Sequence, residues 1–378
     1  MLIILPVIGH PRDSKRVSML QEAGFEVTGL AFEREYYKGR MPTCEVLTLG
    51  KIQNGEYFKR LFKIFIAIPK VRKAIRGCNV VYTSGPDMAF LAILANFFLK
   101  KPVVLEVGDI QKGQIEASLK GQIIRLFDKF TINRSSMLVA TASGFITGYY
   151  RKLLKSDTPA IIIENKLDSI FFKETGVDTL LLKPSMPDRP LHIGYFGVLR
   201  SNWSFEVLEY LAMHFSDNIK IYIAGIPAID MTLFNRVISH KNIEYLGKYK
   251  SPEGLPNIYK NVDIIWACYP DPTFENTNPL WRWAQLVCRS NRFYESCFYQ
   301  KPIITLKNSG DGVEVEKHDI GLIIENQEVE AVVKSVMNVS RENLKQWKIN
   351  IGNLQRKVFL YTDEVEKLKI SIKKLVTK

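Results

Sequence analysis

Arg292 and Glu295 stand three positions apart in SNRFYESCFYQKPII, the stretch from Ser290 to Ile304, and offer a guanidinium for an anion and a carboxylate for hydroxyl groups. The stretch reads as a short helix running through Lys301-Pro302 into an apolar strand. Asn291 is a good N-cap residue. That puts Arg292 in the first turn, where the positive end of the helix dipole disfavours a cation by ~0.3 to 1 kcal/mol. A phosphate lying there reverses the sign, because backbone N–H groups and the guanidinium meet it together. Glu295, farther along, can then accept hydrogen bonds from sugar hydroxyls. The competing reading is an arginine turned out to solvent and a glutamate paired with a neighbouring lysine.

The elements that must position these residues alternate strand and helix, the pattern of a parallel sheet covered on both faces. In the first half LIILPVIG is a strand, Ser14 to Ala23 a helix and Phe25 to Ala31 a strand; NVVYTS and PVVLEV follow with a helix over Met88 to Phe98 between them, then MLVATAS. The rhythm lapses in FFKETGVDTLLLKPSMPDRP, Phe171 to Pro190, which reads as a linker. A second series runs LHIGYFG, a helix over Phe205 to Met213, IKIYIAG, NIEYLG, VDIIWACYP, the helix of Glu295, PIITL and GLII before a helical tail. The expected architecture is α/β, with one doubly wound domain over 1–185, a second over 186–378 carrying the tail, and a cleft between them. Ligands of such sheets bind beyond the carboxyl ends of the strands. Gly9, His10 and Arg12 stand there after the first strand, Gly85, Pro86 and Asp87 after NVVYTS, and Glu106, Gly108 and Asp109 at the end of PVVLEV. In the second half Gly197 and Arg200, Gly225, and Gly247 with Lys248 occupy the corresponding places. Any one of these glycines could serve a plain turn; their recurrence at six strand ends points to a ligand cleft.

Composition narrows the class. The 378 residues are 46% hydrophobic, enough for two domains with large cores, and no short repeat interrupts them. MLIILPVIGH reads as a buried strand rather than a secretory leader, and the apolar run from Met88 to Leu99 is too short to span a bilayer. Five cysteines without a CxxC pair suit a reducing cytoplasm and give no support to a metal site. The net charge of +13 is uneven: residues 1–185 hold 27 Lys/Arg against 17 Asp/Glu, and the remainder 25 against 22. Tyr57 to Arg76, YFKRLFKIFIAIPKVRKAIR, interleaves seven cations with large apolar side chains, as suits an anionic membrane surface. Pro69 is expected to break or bend that helix. Its plainer role would be a surface helix with one face on the sheet.

The order and spacing of VVYTSGPDMAFLAILANFFLKKPVVLEVGDI, ENKLD, IGYFGVLR, IYIAG, NIEYLGKYK, IYKNVDIIW and SNRFYESCFYQKPII resemble the GT-B glycosyltransferases, and within them the retaining enzymes of glycosyltransferase family 4. The resemblance implies two Rossmann-like domains facing a central cleft, a nucleotide-diphosphate sugar held by the C-terminal one, and no metal or other cofactor. It makes Glu295 the carboxylate that holds the donor ribose and Arg200, after Gly197, the contact to the diphosphate, with Arg292 beside them. Gly225 and Gly247 would border the base, Gly9 would let the first loop approach the sugar, and Asp109 or Asp87 would accept the acceptor's proton unless the leaving phosphate does. Three positions depart from the family pattern: Val287 stands where a first glutamate is common, Gly108 where a histidine is common, and Asn202 and Trp203 where a lysine is usual.

The expected function is transfer of a hexose to a lipid-linked or glycan acceptor in surface polysaccharide assembly, by a monomer or weak oligomer at the cytoplasmic face of the plasma membrane, bound through 57–76. The alternatives are a sugar-nucleotide 2-epimerase, which needs acid/base groups on both faces of the sugar, and an inactive adaptor on the same scaffold, for which Val287 and Gly108 speak. A nucleic-acid partner is not expected, since no recognition signature accompanies the charge. Tyr269, Asn278, Trp281 and Trp283 either select the sugar or pack helices.

Overall fold

The computed structural model describes residues 1–34, 40–52, 57–168, 189–269, 283–284 and 286–377, with backbone alone for 57–61. The chain forms two compact units, Met1–Asn165 with Thr362–Lys378, and Lys166–Tyr361.

The first unit is built on seven parallel strands: β1 (Leu2–Leu5), β2 (Thr28–Glu33), β3 (Val46–Lys51), β4 (Val81–Ser84), β5 (Val103–Val107), β6 (Met137–Ala140) and β7 (Ala160–Ile162). Their order is β3-β2-β1-β4-β5-β6-β7. Every residue of β1, β4, β5 and β6 is buried. A parallel sheet covered on both faces requires this, and so its strands appear in the sequence as unbroken apolar runs. Edge strand β3 is mostly exposed, carries no such run, and escaped the sequence reading. So did the helix Leu119–Arg134 and the π-helical segment Phe145–Leu153.

The second unit repeats the design with β8 (Leu191–Leu199), β9 (Ile219–Pro227), β10 (Ile243–Tyr245), β11 (Ile264–Trp266), β12 (Ile303–Leu306) and β13 (Gly321–Ile324), all parallel, in the order β10-β9-β8-β11-β12-β13. One core lies on each face of this sheet. Tyr195, Phe205, Leu208 and Trp266 belong to one, and Phe196, Tyr259, Phe293 and Phe298 to the other. Central strand β8 supplies both, because successive side chains point to opposite faces.

Three expectations need correction. The C-terminal tail, assigned with the second half, belongs to the first unit: the helix Asp363–Val376 lies against the helix Pro11–Glu22, burying Leu368 and Ile372 completely. The expected boundary at 185 and most of the linker lie outside the described residues. Pro69 does not break its helix, which runs without interruption from Tyr57 to Arg76. It sits on the exposed side, where water can serve the Phe65 carbonyl that loses its partner. The N-cap of the helix Asn291–Phe298 is Ser290 rather than Asn291, its hydroxyl accepting from the Phe293 N–H.

Candidate functional site

In the second unit the strand order reverses between β8 and β11, and the carboxyl ends of these two strands form the crevice in which open α/β sheets take ligands. Arg200 follows β8 directly and is exposed; Tyr269 follows β11, and the guanidinium lies 5.8 Å from its ring centroid. Gly197 and Gly225 are register partners at the ends of β8 and β9, with φ of +112° and +137°. A side chain at 225 has no room: its Cβ would stand 1.8 Å from the Gly197 carbonyl oxygen. Gly247, after β10, accepts a hydrogen bond from the Gly225 N–H at 2.9 Å. The three glycines thus give the crevice a floor of bare backbone.

Arg292 reaches this floor from the helix Asn291–Phe298. Its Nε donates to the Phe196 carbonyl and its Nη2 to that of Val198 at 3.4 Å, and its guanidinium lies 5.2 Å from the Tyr195 ring centroid. Gly197 permits that approach, since a Cβ there would stand 3.2 Å from Nη2. The helix start is itself anchored by Asp311, which accepts from the Ser290 N–H at 2.9 Å and from its hydroxyl at 2.6 Å. Burial pushes the Asp311 carboxyl up to about 6 despite these donors. Arg292 therefore carries its charge to the end of β8, where two strand carbonyls orient it.

Glu295 is 7% exposed and accepts the Tyr259 hydroxyl at 3.1 Å. Tyr259 stacks on Tyr299, with ring centroids 4.6 Å apart. Burial and then the Glu295 charge push both phenols up. The Tyr249 phenol, two residues beyond Gly247, is raised by burial and by Glu295 and lowered by Arg292, so the loop after β10 lies within the field of both groups. Arg200, Arg292 and the three glycines stand at the carboxyl ends of β8, β9 and β10, and Glu295 lies one turn farther along the helix of Arg292. Tyr249, Tyr259 and Asp311 were missed, for their contacts join distant segments and leave no spacing signal. Val287 has no side-chain hydrogen-bonding atom; Trp283 is half-buried, and Asn278 and Trp281 lie outside the described residues.

In the first unit the order reverses between β1 and β4. Gly9, at φ +82°, turns the chain from β1 into the helix Pro11–Glu22. Glu106, at the end of β5, is gripped by Arg16 at 2.9 and 3.0 Å and by the Tyr82 hydroxyl at 2.6 Å. Burial, the largest influence, pushes its carboxyl up, but the Arg16 charge and hydrogen bonds, the Arg12 charge and the Tyr82 hydroxyl together hold it below the ordinary range. Asp13 accepts the Ser84 hydroxyl at 2.7 Å and is raised to about 6 by burial, against the Arg12 charge. His10 is lowered to about 4 by burial and then by Arg12, and is neutral at physiological pH. Asp109 is exposed and pairs with Arg12 at 3.6 Å; Asp87 is half-buried in the first turn of the helix Pro86–Asn96. Among the described residues no cluster of three His, Cys, Asp or Glu side chains is placed to hold a metal ion.

The helix Tyr57–Arg76 buries Ile64, Ala67, Val71 and Ile75 yet leaves Phe62 67%, Phe65 49% and Ile66 62% exposed. Phe97 and Phe98, just past the neighbouring helix Pro86–Asn96, are also exposed, with the Arg72 guanidinium 5.8 Å from the Phe98 ring centroid. No described helix is long and apolar enough to cross a membrane.

No family model matches the chain. A curated relative, the succinoglycan biosynthesis protein ExoL of Rhizobium meliloti (strain 1021), is 24% identical over 336 residues, 86% of this chain and 81% of that protein. Among solved structures, Anabaena Alr3699/HepE in complex with UDP and glucose superposes with a TM-score of 0.67 at 13% identity, covering 100% of this chain and 99% of that one. Sucrose-phosphate synthase from Thermosynechococcus elongatus gives 0.69 at 12% identity, with coverage of 100% and 99%. WaaG, a glycosyltransferase involved in lipopolysaccharide biosynthesis, gives 0.64 at 11%, with 98% of each chain covered. With both of its sheets in the doubly wound order and its whole length matched, the chain has the GT-B fold of these glycosyltransferases.

Proposed function

We propose that the chain is a GT-B glycosyltransferase that moves a hexose from a nucleotide-diphosphate sugar to a lipid-linked or glycan acceptor in surface polysaccharide assembly. The observation that carries the reading is the buried Glu295 in the same carboxyl-end region as Arg200, Arg292 and the glycine floor. Two cations beside bare backbone suit a diphosphate, and a carboxylate deeper in the same unit suits the ribose hydroxyls. Tyr259, which donates to one Glu295 oxygen, fixes the carboxylate for that task. HepE, solved with UDP and glucose, supports a nucleotide-sugar donor, and ExoL, by its name a succinoglycan biosynthesis protein, supports a polysaccharide product.

Breaking the bond from an anomeric carbon to a diphosphate develops positive charge on the sugar and negative charge on the leaving group. Arg200 and Arg292 oppose the second, and guanidinium groups already in place do so without reorganisation during the step. The acceptor's proton passes to Asp109, to Asp87 or to the leaving phosphate. We assign the reaction to the retaining, metal-independent branch represented by family 4. An acceptor that sits in the inner face of the plasma membrane accounts for the exposed aromatic and basic side chains of 62–76.

Sugar transfer with a panel of nucleotide sugars tests the reading, with the anomeric configuration of the product read by NMR. Glu295→Gln and Arg200→Ala are each expected to lower kcat/KM by about a hundredfold or more. Unchanged turnover in either variant would overturn the assignment of that residue. A product epimerised at C2 without any acceptor would replace transfer by epimerisation, and nucleotide binding with no turnover on any donor would leave an adaptor.

A further inference from the structure

The backbone of Gly108, at the carboxyl end of β5, is not among the left-handed glycines, so the residue is not there for its φ. It is there for space. A Cβ at 108 would stand 1.6 Å from Nη1 of Arg12 and 2.0 Å from its Cζ, because the guanidinium lies directly on the glycine. The Gly108 carbonyl is in turn held by the Thr141 hydroxyl at 2.8 Å, so this strip of backbone has little freedom to move aside.

The carboxylates around Arg12 do not use it fully. Glu106 is occupied by Arg16 and Tyr82, and Asp13 by Ser84 with His10 at 3.6 Å. Arg12 has one ion pair among the described residues, with Asp109 at 3.6 Å, and that carboxylate is 62% exposed. Its Nε is buried without a hydrogen-bond partner. An exposed pair at that distance stabilises little, and although the Arg12 charge also opposes the burial of Asp13 and Glu106, neither carboxylate accepts a hydrogen bond from it among the described residues. The position matters as well: Arg12 comes from the segment after β1 and Gly108 from the segment after β5, on either side of β4.

We infer that Arg12 is a ligand-binding residue of the first unit, that Gly108 makes the space for it, and that it takes a phosphate oxygen of a lipid-diphosphate acceptor. This rests on the transferase reading above for the word acceptor, not for the anion. A guanidinium fork matches phosphate and carboxylate oxygens alike. The exposed apolar and basic side chains of 62–76 in the same unit favour the lipid-borne phosphate over a carboxylate on a free sugar.

The test is calorimetric titration of the full chain with farnesyl diphosphate below its micellar concentration, with glucuronate as the carboxylate arm and UDP as a ligand for the second unit. Arg12→Ala and Gly108→Ala are each expected to weaken farnesyl diphosphate about tenfold or more, and the double variant no further, because both remove the same contact. Arg12→Lys should recover only part, and UDP affinity should stay unchanged throughout. Equal farnesyl diphosphate binding by wild type and Arg12→Ala overturns the inference, as does wild-type binding of glucuronate in place of farnesyl diphosphate. A wild-type chain that takes farnesyl diphosphate through Arg12 but no nucleotide or nucleotide sugar would uphold Arg12 as a phosphate ligand while sinking the transferase reading. Should Gly108→Ala fail to fold, the two Arg12 variants still decide the matter.

Discussion

Gly225 shows how little freedom the crevice of the second unit has. Its φ of +137° disfavours any L side chain, and its missing Cβ leaves room for the Gly197 carbonyl. Gly225→Ala must therefore either push β8 and β9 apart or twist the backbone at both strand ends. We expect a loss of ~2 to 4 kcal/mol in stability, with nucleotide affinity falling by more than the stability loss predicts, since the displaced backbone carries Arg292 through Phe196 and Val198. Denaturant unfolding and UDP titration measure the two effects; unchanged stability would mean that the strand ends adjust more freely than their packing indicates. The placement of Arg292 in the first turn of its helix and of the glycines at the strand ends was legible in the sequence because residue type and position alone indicate it. The Tyr259 and Asp311 contacts were not, since Tyr259 and Glu295 are brought together only by packing of separate helices, and Asp311 reaches Ser290 across 21 positions.

Elements were legible to the extent that burial writes a pattern. The doubly buried strands read as apolar runs, whereas β3, exposed along an edge, and the three-residue β7 give almost none. The helix Tyr57–Arg76 carries more large apolar side chains than its buried face needs, and among its described side chains the surplus is Phe62, Phe65 and Ile66. Lys70 and Lys73 are exposed beside them and Lys63 is partly so; the side chains of Lys59 and Arg60 lie outside the described residues. A lipid interface would cover the aromatic side chains and attract the cations. Sedimentation with anionic vesicles should therefore weaken as salt rises. Replacing Phe62, Phe65 and Ile66 by Ser should weaken it at every salt concentration, and neutralising Lys63, Lys70 and Lys73 should remove the salt dependence. Vesicle binding indifferent to both sets would leave this helix a surface helix only.

At the scale of the whole molecule, two sheets of the same doubly wound order could be foreseen from the strand-helix rhythm, but the route of the chain could not. It leaves the first unit at Asn165, completes the second by Tyr361 and returns with the helix Asp363–Val376. An amphipathic tail shows that it needs a partner, not which one. Both units also bury carboxyl groups whose titration bears on stability: Asp13 and Asp128 in the first, Asp311 in the second, each raised from 3.8 to about 6 with burial as the leading cause. In the interval from about 4 to 6 the folded chain holds these protons and the unfolded chain does not, so stability is greatest below the lower value and falls as pH rises through the upper one. His10, lowered from 6.5 to about 4, acts in the opposite sense over nearly the same interval and cancels about the whole of one aspartate's effect. With three aspartates against His10 and His192, which burial also lowers, the unfolding temperature should decline modestly as pH goes from about 4.5 to 6.5. Asp128 isolates the effect away from both crevices, for its Oδ2 accepts from Gln114 at 2.6 Å and Tyr149 at 2.5 Å. An asparagine there keeps an acceptor and loses the proton. Asp128→Asn should flatten the decline by up to about 2 kcal/mol, measured as the difference in unfolding free energy between the two ends of that interval; a slope equal to that of the wild type would mean that Asp128 titrates normally in the folded chain.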